Sequence, residues 1–121
     1  MNFKKNILII VFFLYCNALY AAITAKDIIA YPVPFSPNKH TLNIGTQSGA
    51  GLGSYSVNVL IYDINGDLII KKSASGKNIV WNGRNKSGRI VKPGLYILKV
   101  EVEDDSSGEY IKKIIRILID Y

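Results

Sequence analysis

Residues 61–67 read Ile-Tyr-Asp-Ile-Asn-Gly-Asp, residues 81–88 read Trp-Asn-Gly-Arg-Asn-Lys-Ser-Gly, and residues 92–96 read Lys-Pro-Gly-Leu-Tyr. The first stretch ends an apolar run with an Asn-Gly pair, which tolerates the positive φ of a tight hairpin turn. The other two combine Gly and Pro with polar residues, as loops between strands do. Their order is strand, turn, strand, loop, strand, and it predicts a small all-β sandwich.

Alternating apolar residues extend this pattern in both directions. Residues 55–62 place Val57, Val59 and Ile61 on one face, and residues 95–103 alternate in the same way. Further strands are predicted at 41–46, 68–72, 79–81 and 110–121, and residues 30–37 are predicted to form an edge strand that turns at its prolines. No segment after residue 25 has convincing helical periodicity. We therefore predict an all-β fold, an Ig-like antiparallel β-sandwich of about seven strands.

The N-terminal segment has the composition of a secretory signal peptide. Lys4 and Lys5 precede an apolar run at residues 7–15, which is too short to cross a bilayer of about 30 Å. Small residues suitable for cleavage follow at Cys16, Ala18, Ala21 and Ala22. We predict a signal peptide at 1–22 and an exported domain at 23–121, placed in the periplasm, on the cell surface or outside the cell.

Cys16 is the single cysteine and allows an alternative to plain export. A lipid-bearing cysteine needs a small residue before it, and Tyr15 is large. Membrane contact is therefore expected only if Cys16 carries lipid or the signal peptide is retained. Cleavage would leave no cysteine and no disulfide, so a hydrophobic core would have to stabilise the domain.

The charge and the polar residues argue against several classes of function. The formal net charge is +6, but the basic residues are scattered among acidic ones, so nucleic-acid binding is not expected. His40 is the single histidine, and it follows a probable turn without a second His or Cys to complete a metal or nucleophilic site. Glu101 and Glu103 are predicted to face solvent. We expect no enzyme activity, no catalytic residue and no cofactor.

Two oxygen-rich stretches allow a calcium-site alternative. Residues 63–67 place Asp and Asn at alternate positions, and residues 104–109 are also rich in carboxylates and hydroxyls. Neither supplies the full ligand set that calcium prefers. Both are interpreted as hairpin turns, where Asp and Asn bond their own backbone, and no metal is expected.

Trp81 is the single tryptophan and has two interpretations. It is suited to fill the core between two sheets, because a large aromatic ring supplies much of the buried area of a small sandwich. Alternatively, Trp81 together with Tyr96 and Tyr110 would form a sugar-stacking platform if all three rings shared an exposed face.

The motifs together resemble a bacterial Ig-like domain, the type found in flagellar hook-capping proteins and close to the C-terminal sorting domain of type IX secretion substrates. Residues 31–37 resemble the family's opening Tyr-Pro-Asn-Pro-Phe-Asn-Pro, with Val33 and Ser36 replacing the two asparagines. Residues 81–84 resemble its Trp-Asp-Gly-x with Asn82 in place of Asp, and residues 93–96 match its Pro-Gly-x-Tyr. The resemblance covers residues 30 to about 118.

The resemblance implies a scaffold or adhesion module whose motif serves folding. The implied structural residues are Tyr31, Pro32, Pro34, Phe35, Tyr62, Asp63, Gly66, Trp81, Asn82, Gly83, Gly88, Pro93, Gly94 and Tyr96. The four glycines stand where a turn needs positive φ or close approach. The leading hypothesis is an exported, non-enzymatic module that binds an unidentified protein partner. The alternatives are a sorting or anchoring domain and a carbohydrate-binding module.

Overall fold

A computed structural model describes residues 25–46, 55–105 and 107–121. The predicted signal peptide, including Cys16, lies outside these residues. A short 3-10 turn, Ala25–Asp27, leads into seven strands over the described ranges. They are β1 (Ile28–Tyr31), β2 (Leu42–Thr46), β3 (Tyr55–Asp63), β4 (Leu68–Ser75), β5 (Ile79–Trp81), β6 (Gly94–Asp104) and β7 (Tyr110–Ile119). No helix among the described residues is long and apolar enough to cross a membrane.

The strands form two antiparallel sheets. One sheet has the order β1-β2-β5, and the other has the order β4-β3-β6-β7. The chain passes from the first sheet to the second after β2, returns after β4 and crosses again after β5. This arrangement confirms the predicted all-β sandwich of seven strands.

Period-two alternation of apolar residues builds the core between the sheets. Every second residue of β3, from Tyr55 to Ile61, is buried, and so is every second residue of β6 from Tyr96 to Val102. The other sheet contributes Ile28, Leu42 and Ile44, which are fully buried. Trp81, Tyr55 and Phe35 are the largest fully buried side chains of the described residues. The prediction that Trp81 fills the space between the sheets is therefore confirmed.

Strand β4 is longer than the sequence predicts. It continues to Ser75, whereas a polar turn was expected from residue 73. Ser73 pairs with Asn58 on β3, and the Ser73 hydroxyl donates a hydrogen bond to the Asn58 side chain. An edge strand tolerates such polar residues on its solvent face. The polar composition from residue 73 onward therefore predicts a turn, although the pairing of β4 with β3 continues to Ser75.

The proline-rich segment, residues 31–37, links the two sheets. Strand β1 ends at Tyr31 on the edge of the first sheet, as predicted. Phe35 then lies beside β7 of the second sheet and forms a parallel bridge with Ile119. The Phe35 amide donates to the Leu118 carbonyl (2.8 Å), and the Asp120 amide donates to the Phe35 carbonyl (2.9 Å). One short segment therefore hydrogen-bonds to both sheets.

Candidate functional site at one end of the sandwich

The resemblance motifs, separated along the chain, converge at one end of the sandwich. Strand register shows this, because Tyr96 pairs with Asp63 and Gly94 pairs with Ile119. The same end holds Trp81, the last residue of β5. We call it the motif end, and it comprises residues 31–41, 62–68, 81–96 and 119–121. All fourteen residues implied by the resemblance lie within it; they are Tyr31, Pro32, Pro34, Phe35, Tyr62, Asp63, Gly66, Trp81, Asn82, Gly83, Gly88, Pro93, Gly94 and Tyr96.

Phe35, Trp81 and Gly83 form the buried floor of the motif end. The Phe35 and Trp81 rings have centroids 5.7 Å apart and an interplanar angle of 44°. Gly83 has a φ of +78°, and a Cβ added there would come within 2.7 Å of the Pro37 ring. The glycine is needed both for its backbone conformation and for the close approach of the proline-rich segment. The glycines at 66, 88 and 94 also have positive φ, as expected.

The position of Trp81 removes the basis for a sugar-stacking platform. Its side chain is fully buried, and its indole N–H donates a hydrogen bond to the Arg84 carbonyl (2.8 Å). Tyr96 is also buried, whereas Tyr110 is exposed. The three rings therefore do not share an exposed face, and the geometry contradicts the carbohydrate-binding interpretation.

Two loops of the motif end have the same hydrogen-bonded design. The Asp63 carboxylate accepts hydrogen bonds from the Asn65 and Asp67 amides, both at 2.9 Å. Twenty-two residues later, the Asn85 side-chain oxygen accepts from the Ser87 and Arg89 amides, both at 3.0 Å. The turn interpretation of residues 63–67 is confirmed, because the Asp63 carboxylate accepts hydrogen bonds from two backbone amides of its own turn.

Asn85 is a structural residue that the sequence analysis missed. The sequence contains a pattern that predicts this turn, because an Asx residue precedes a glycine by three positions in both loops. In each loop the glycine amide also donates to the Asx carbonyl, Gly66 to Asp63 and Gly88 to Asn85. The second loop is further held by the Lys86 amide, which donates to the Ile69 carbonyl of β4.

Tyr96 lies between these two loops and the chain's last residues. Its hydroxyl donates a 2.6 Å hydrogen bond to the Lys92 carbonyl. Burial raises the pKa of Tyr96, and the neighbouring Tyr121 and Asp63 raise it further. A groove of about 330 Å³ runs beside the ring and is lined by Asp63, Ile69, Asn85, Arg89, Ile90, Val91, Lys92 and Tyr96.

The last residues close the remaining side of the motif end. The Tyr121 hydroxyl donates a hydrogen bond to the Val91 carbonyl. A second hollow of about 220 Å³ lies near Tyr121 and is lined by Pro34, Ser36, Lys39, His40, Asp120 and Tyr121. His40 is exposed, its amide donates to the Ser36 carbonyl, and its ring lies 5.7 Å from the Phe35 ring. The predicted turn at residues 37–39 is confirmed.

Cationic side chains predominate at the motif end and beside it. They are Lys39, Arg84, Lys86, Arg89, Lys92 and Arg116, against the carboxylates of Asp63, Asp67 and Asp120. Four of the six cations lie within residues 84–92, in the segment that connects β5 to β6. Among the described residues, no three His, Cys, Asp or Glu side chains are placed to hold one metal ion. The chemistry available here is polar and ionic contact around two open grooves, which suits recognition of another macromolecule.

Comparison with known proteins identifies the pattern. A family model described as the secretion system C-terminal sorting domain matches residues 30–117. No curated protein matches the chain. PorZ of Porphyromonas gingivalis, described as an essential bacterial surface component of its type-IX secretion system, contains a similar domain with 25% identity and a TM-score of 0.54. The similarity covers 84% of this chain and 13% of that one.

A second solved structure shows the same fold. Dimeric latent PorU of the same bacterium is similar over 77% of this chain and 9% of its own, with 24% identity and a TM-score of 0.52. This chain thus spans a small part of both solved proteins. Neither they nor the matching family is a flagellar hook-capping protein, so the comparisons support only the sorting-domain side of the resemblance.

Proposed function

Because the chain belongs to the family of secretion system C-terminal sorting domains, we propose that its sandwich is an address recognised by a type IX secretion system. In this role the domain directs the polypeptide that carries it to the cell surface or the medium. The proposal makes sorting the main function, ahead of the more general interaction module favoured by sequence alone. The domain acts by being bound, and we propose no enzymatic activity for it.

The convergence of the family motifs at the motif end carries this proposal. Residues 35, 63, 81 and 96 lie far apart in sequence, yet the Phe35 and Trp81 rings are in contact and Asp63 pairs with Tyr96 at the same end of the sandwich. The exposed cations Arg89 and Lys92, which line the groove beside Tyr96, are what a partner protein would contact. The predicted signal peptide at 1–22 would first take the chain out of the cytoplasm.

A reporter fusion tests the proposal. Residues 23–121 are attached to the C-terminus of a secreted reporter in a bacterium with a type IX system, and in the same strain with that system deleted. We expect the reporter at the surface or in the medium only when the system is present. A reporter that stays in the periplasm of the intact strain would refute the sorting role.

Charge reversal locates the recognised surface. Arg89→Glu combined with Lys92→Glu changes the motif end, while Lys77→Glu combined with Lys26→Glu changes exposed residues at the opposite end. We expect the first pair to reduce export of the reporter and the second pair to leave it unchanged. Equal export of both variants would argue against the motif end as the recognised surface.

A further inference from the structure

Strand β7 presents an unpaired edge. It is the last strand of the sheet β4-β3-β6-β7, and among the described residues it pairs with β6 along its length and with Phe35 at its end. The bonds from Leu118 and Asp120 to Phe35 show that even-numbered residues direct their backbone groups away from β6. Over the described residues, the amides and carbonyls of Lys112, Ile114 and Arg116 therefore face outward and pair with no second strand; β1 lies nearby, where the Lys113 ammonium donates a hydrogen bond to the Ile28 carbonyl.

The end of this edge already pairs with one residue from outside the strands. Phe35 docks beside Ile119 in parallel orientation through two backbone hydrogen bonds of 2.8 and 2.9 Å. The backbone groups of β7 next to this bridge have the same orientation and are available. Addition of another strand would continue an interaction that the fold itself makes at the end of β7.

The side chains of β7 determine which strand would fit. On the outer face of the sheet, Lys112 and Arg116 flank Ile114, which is 54% exposed. No acidic residue occurs in β7. Two copies of β7 paired antiparallel around Ile114 would place Lys112 opposite Arg116, and like charges directly opposite are destabilising. The edge is therefore protected against a second copy of itself.

Arg116 is the cation with the greatest capacity for a new partner. Lys112 lies opposite Glu101 in the strand register, and the Glu101 carboxylate lies 3.5 Å from the Lys99 ammonium. Arg116 pairs instead with Ile97 and, within the described part of the chain, forms no ion pair. It borders a largely apolar groove of about 190 Å³ that is also lined by Ile64 and Leu95. A carboxylate beside an apolar side chain would complement this arrangement.

We propose that the edge of β7 binds an extended segment of another protein with the pattern acidic-x-apolar-x-acidic. The apolar residue lies opposite Ile114, and the two carboxylates lie opposite Lys112 and Arg116. The pattern is symmetrical, so it is the same for parallel and antiparallel addition. Backbone hydrogen bonds provide the affinity and the charges provide the selectivity. The proposal does not depend on the sorting function.

The other edge of this sheet is the weaker candidate. The carbonyl of Ile69 on β4 already accepts the Lys86 amide, so the loop at 82–90 covers one end of that strand. The remaining outer positions of β4 carry Lys71, Ser73 and Ser75, without an exposed apolar residue between cations. Strand β4 thus supplies an internal control of the same sheet.

The test uses a synthetic peptide, acetyl-Thr-Glu-Val-Ile-Val-Glu-Thr-amide, and the isotope-labelled protein expressed from its full sequence. The comparison peptides replace both glutamates with lysine, or the central isoleucine with proline. We expect the acidic peptide to shift the amide resonances of Lys112, Ile114 and Arg116 and to slow their hydrogen exchange. The lysine peptide should bind about tenfold more weakly because its charges oppose those of β7, and the proline peptide should not protect the amides.

Charge-reversal variants complete the experiment. Arg116→Glu should abolish or reverse the preference for the acidic peptide, whereas Lys71→Glu, the same change on β4, should leave it intact. If Arg116→Glu does not fold, Lys112→Glu replaces it. Unchanged β7 amides, perturbation of β4 instead, or equal binding of the acidic and lysine peptides would each overturn the proposal.

Discussion

Single residues at the motif end are constrained by contact as much as by backbone conformation, and Gly83 shows this best. Gly88 has nearly the same φ, +81° against +78°, but a Cβ at Gly88 would meet nothing within 4 Å. The two glycines therefore separate the cost of left-handed backbone from the cost of a steric clash. Of the two, only Gly83 would incur both costs, because an added Cβ would clash with the Pro37 ring.

We predict that Gly83→Ala lowers the free energy of unfolding by about 3 kcal/mol, and Gly88→Ala by about 1 kcal/mol. Both substitutions put an alanine into left-handed backbone, and Gly83→Ala also forces Cβ against the Pro37 ring. Urea denaturation measures the two values. Equal losses in the two variants would mean that the proline-rich segment moves away at little cost.

The raised pKa of Tyr96 predicts a loss of stability at alkaline pH. Its pKa in the folded chain is raised above the unfolded value of 10.0, mainly by burial. Above pH 10 the Tyr96 hydroxyl ionises more readily in the unfolded chain than in the folded one. The contribution of Tyr96 to the free energy of unfolding is therefore complete below pH 10 and declines as the pH rises through the folded pKa. Tyr96→Phe should be less stable at neutral pH, because the bond to Lys92 is lost, but should decline less above pH 10. Parallel stability curves for the two proteins would contradict this assignment.

At the level of elements, the β3–β4 hairpin depends on a side chain that closes its own turn. The Asp63 carboxylate satisfies two amides that no strand pairing reaches. The Asx turn at Asn85 performs the same task in the loop after β5. Asp63→Ala should therefore cost about 1–2 kcal/mol of stability, since two donors lose their acceptor at an exposed site.

Asp63→Asn is the matched variant, because its amide oxygen can still accept both hydrogen bonds. It should cost less than half as much as Asp63→Ala in the same urea denaturation experiment. Asp67→Ala serves as a control, as it removes a nearby carboxylate but keeps the backbone groups of the turn. A loss for Asp67→Ala as large as that for Asp63→Ala would assign the effect to charge rather than to the turn.

For the molecule as a whole, residues 119–121 attach two connecting segments, the one after β1 and the one before β6, to the end of β7. Ile119 is buried and bridges to Phe35, the Asp120 amide donates to the Phe35 carbonyl, and Tyr121 bonds to the Val91 carbonyl. Deletion of residues 119–121 should lower the free energy of unfolding by about 4 kcal/mol, through lost burial and broken hydrogen bonds. Deletion of Tyr121 alone should cost about 1 kcal/mol.

Chemical denaturation of the two truncated chains checks this prediction, and the amide resonance of Phe35 reports on the bridge. A small loss on deleting all three residues would show that the proline-rich segment holds its place without residues 119–121.

The sequence by itself determined the fold class and nearly all the strands. Alternation with period two marks a buried face wherever it occurs, as at Val57, Val59 and Ile61, and it needs no knowledge of the partner strand. Turn chemistry is equally local, so the hairpin at residues 63–67 and the turn at 37–39 were predictable. Ser73 was misassigned because its pairing with Asn58 depends on the neighbouring strand.

The tertiary structure alone decided where the motifs meet. Sheet order and register are long-range properties, and they bring Phe35 to Trp81 and to β7, and Tyr96 to Asp63. Burial of Trp81 and Tyr96 also depends on this packing, and it removed the sugar-binding alternative. The outward-facing edge of β7 follows from the same topology, because a linear pattern records which residues alternate but not which strands become neighbours.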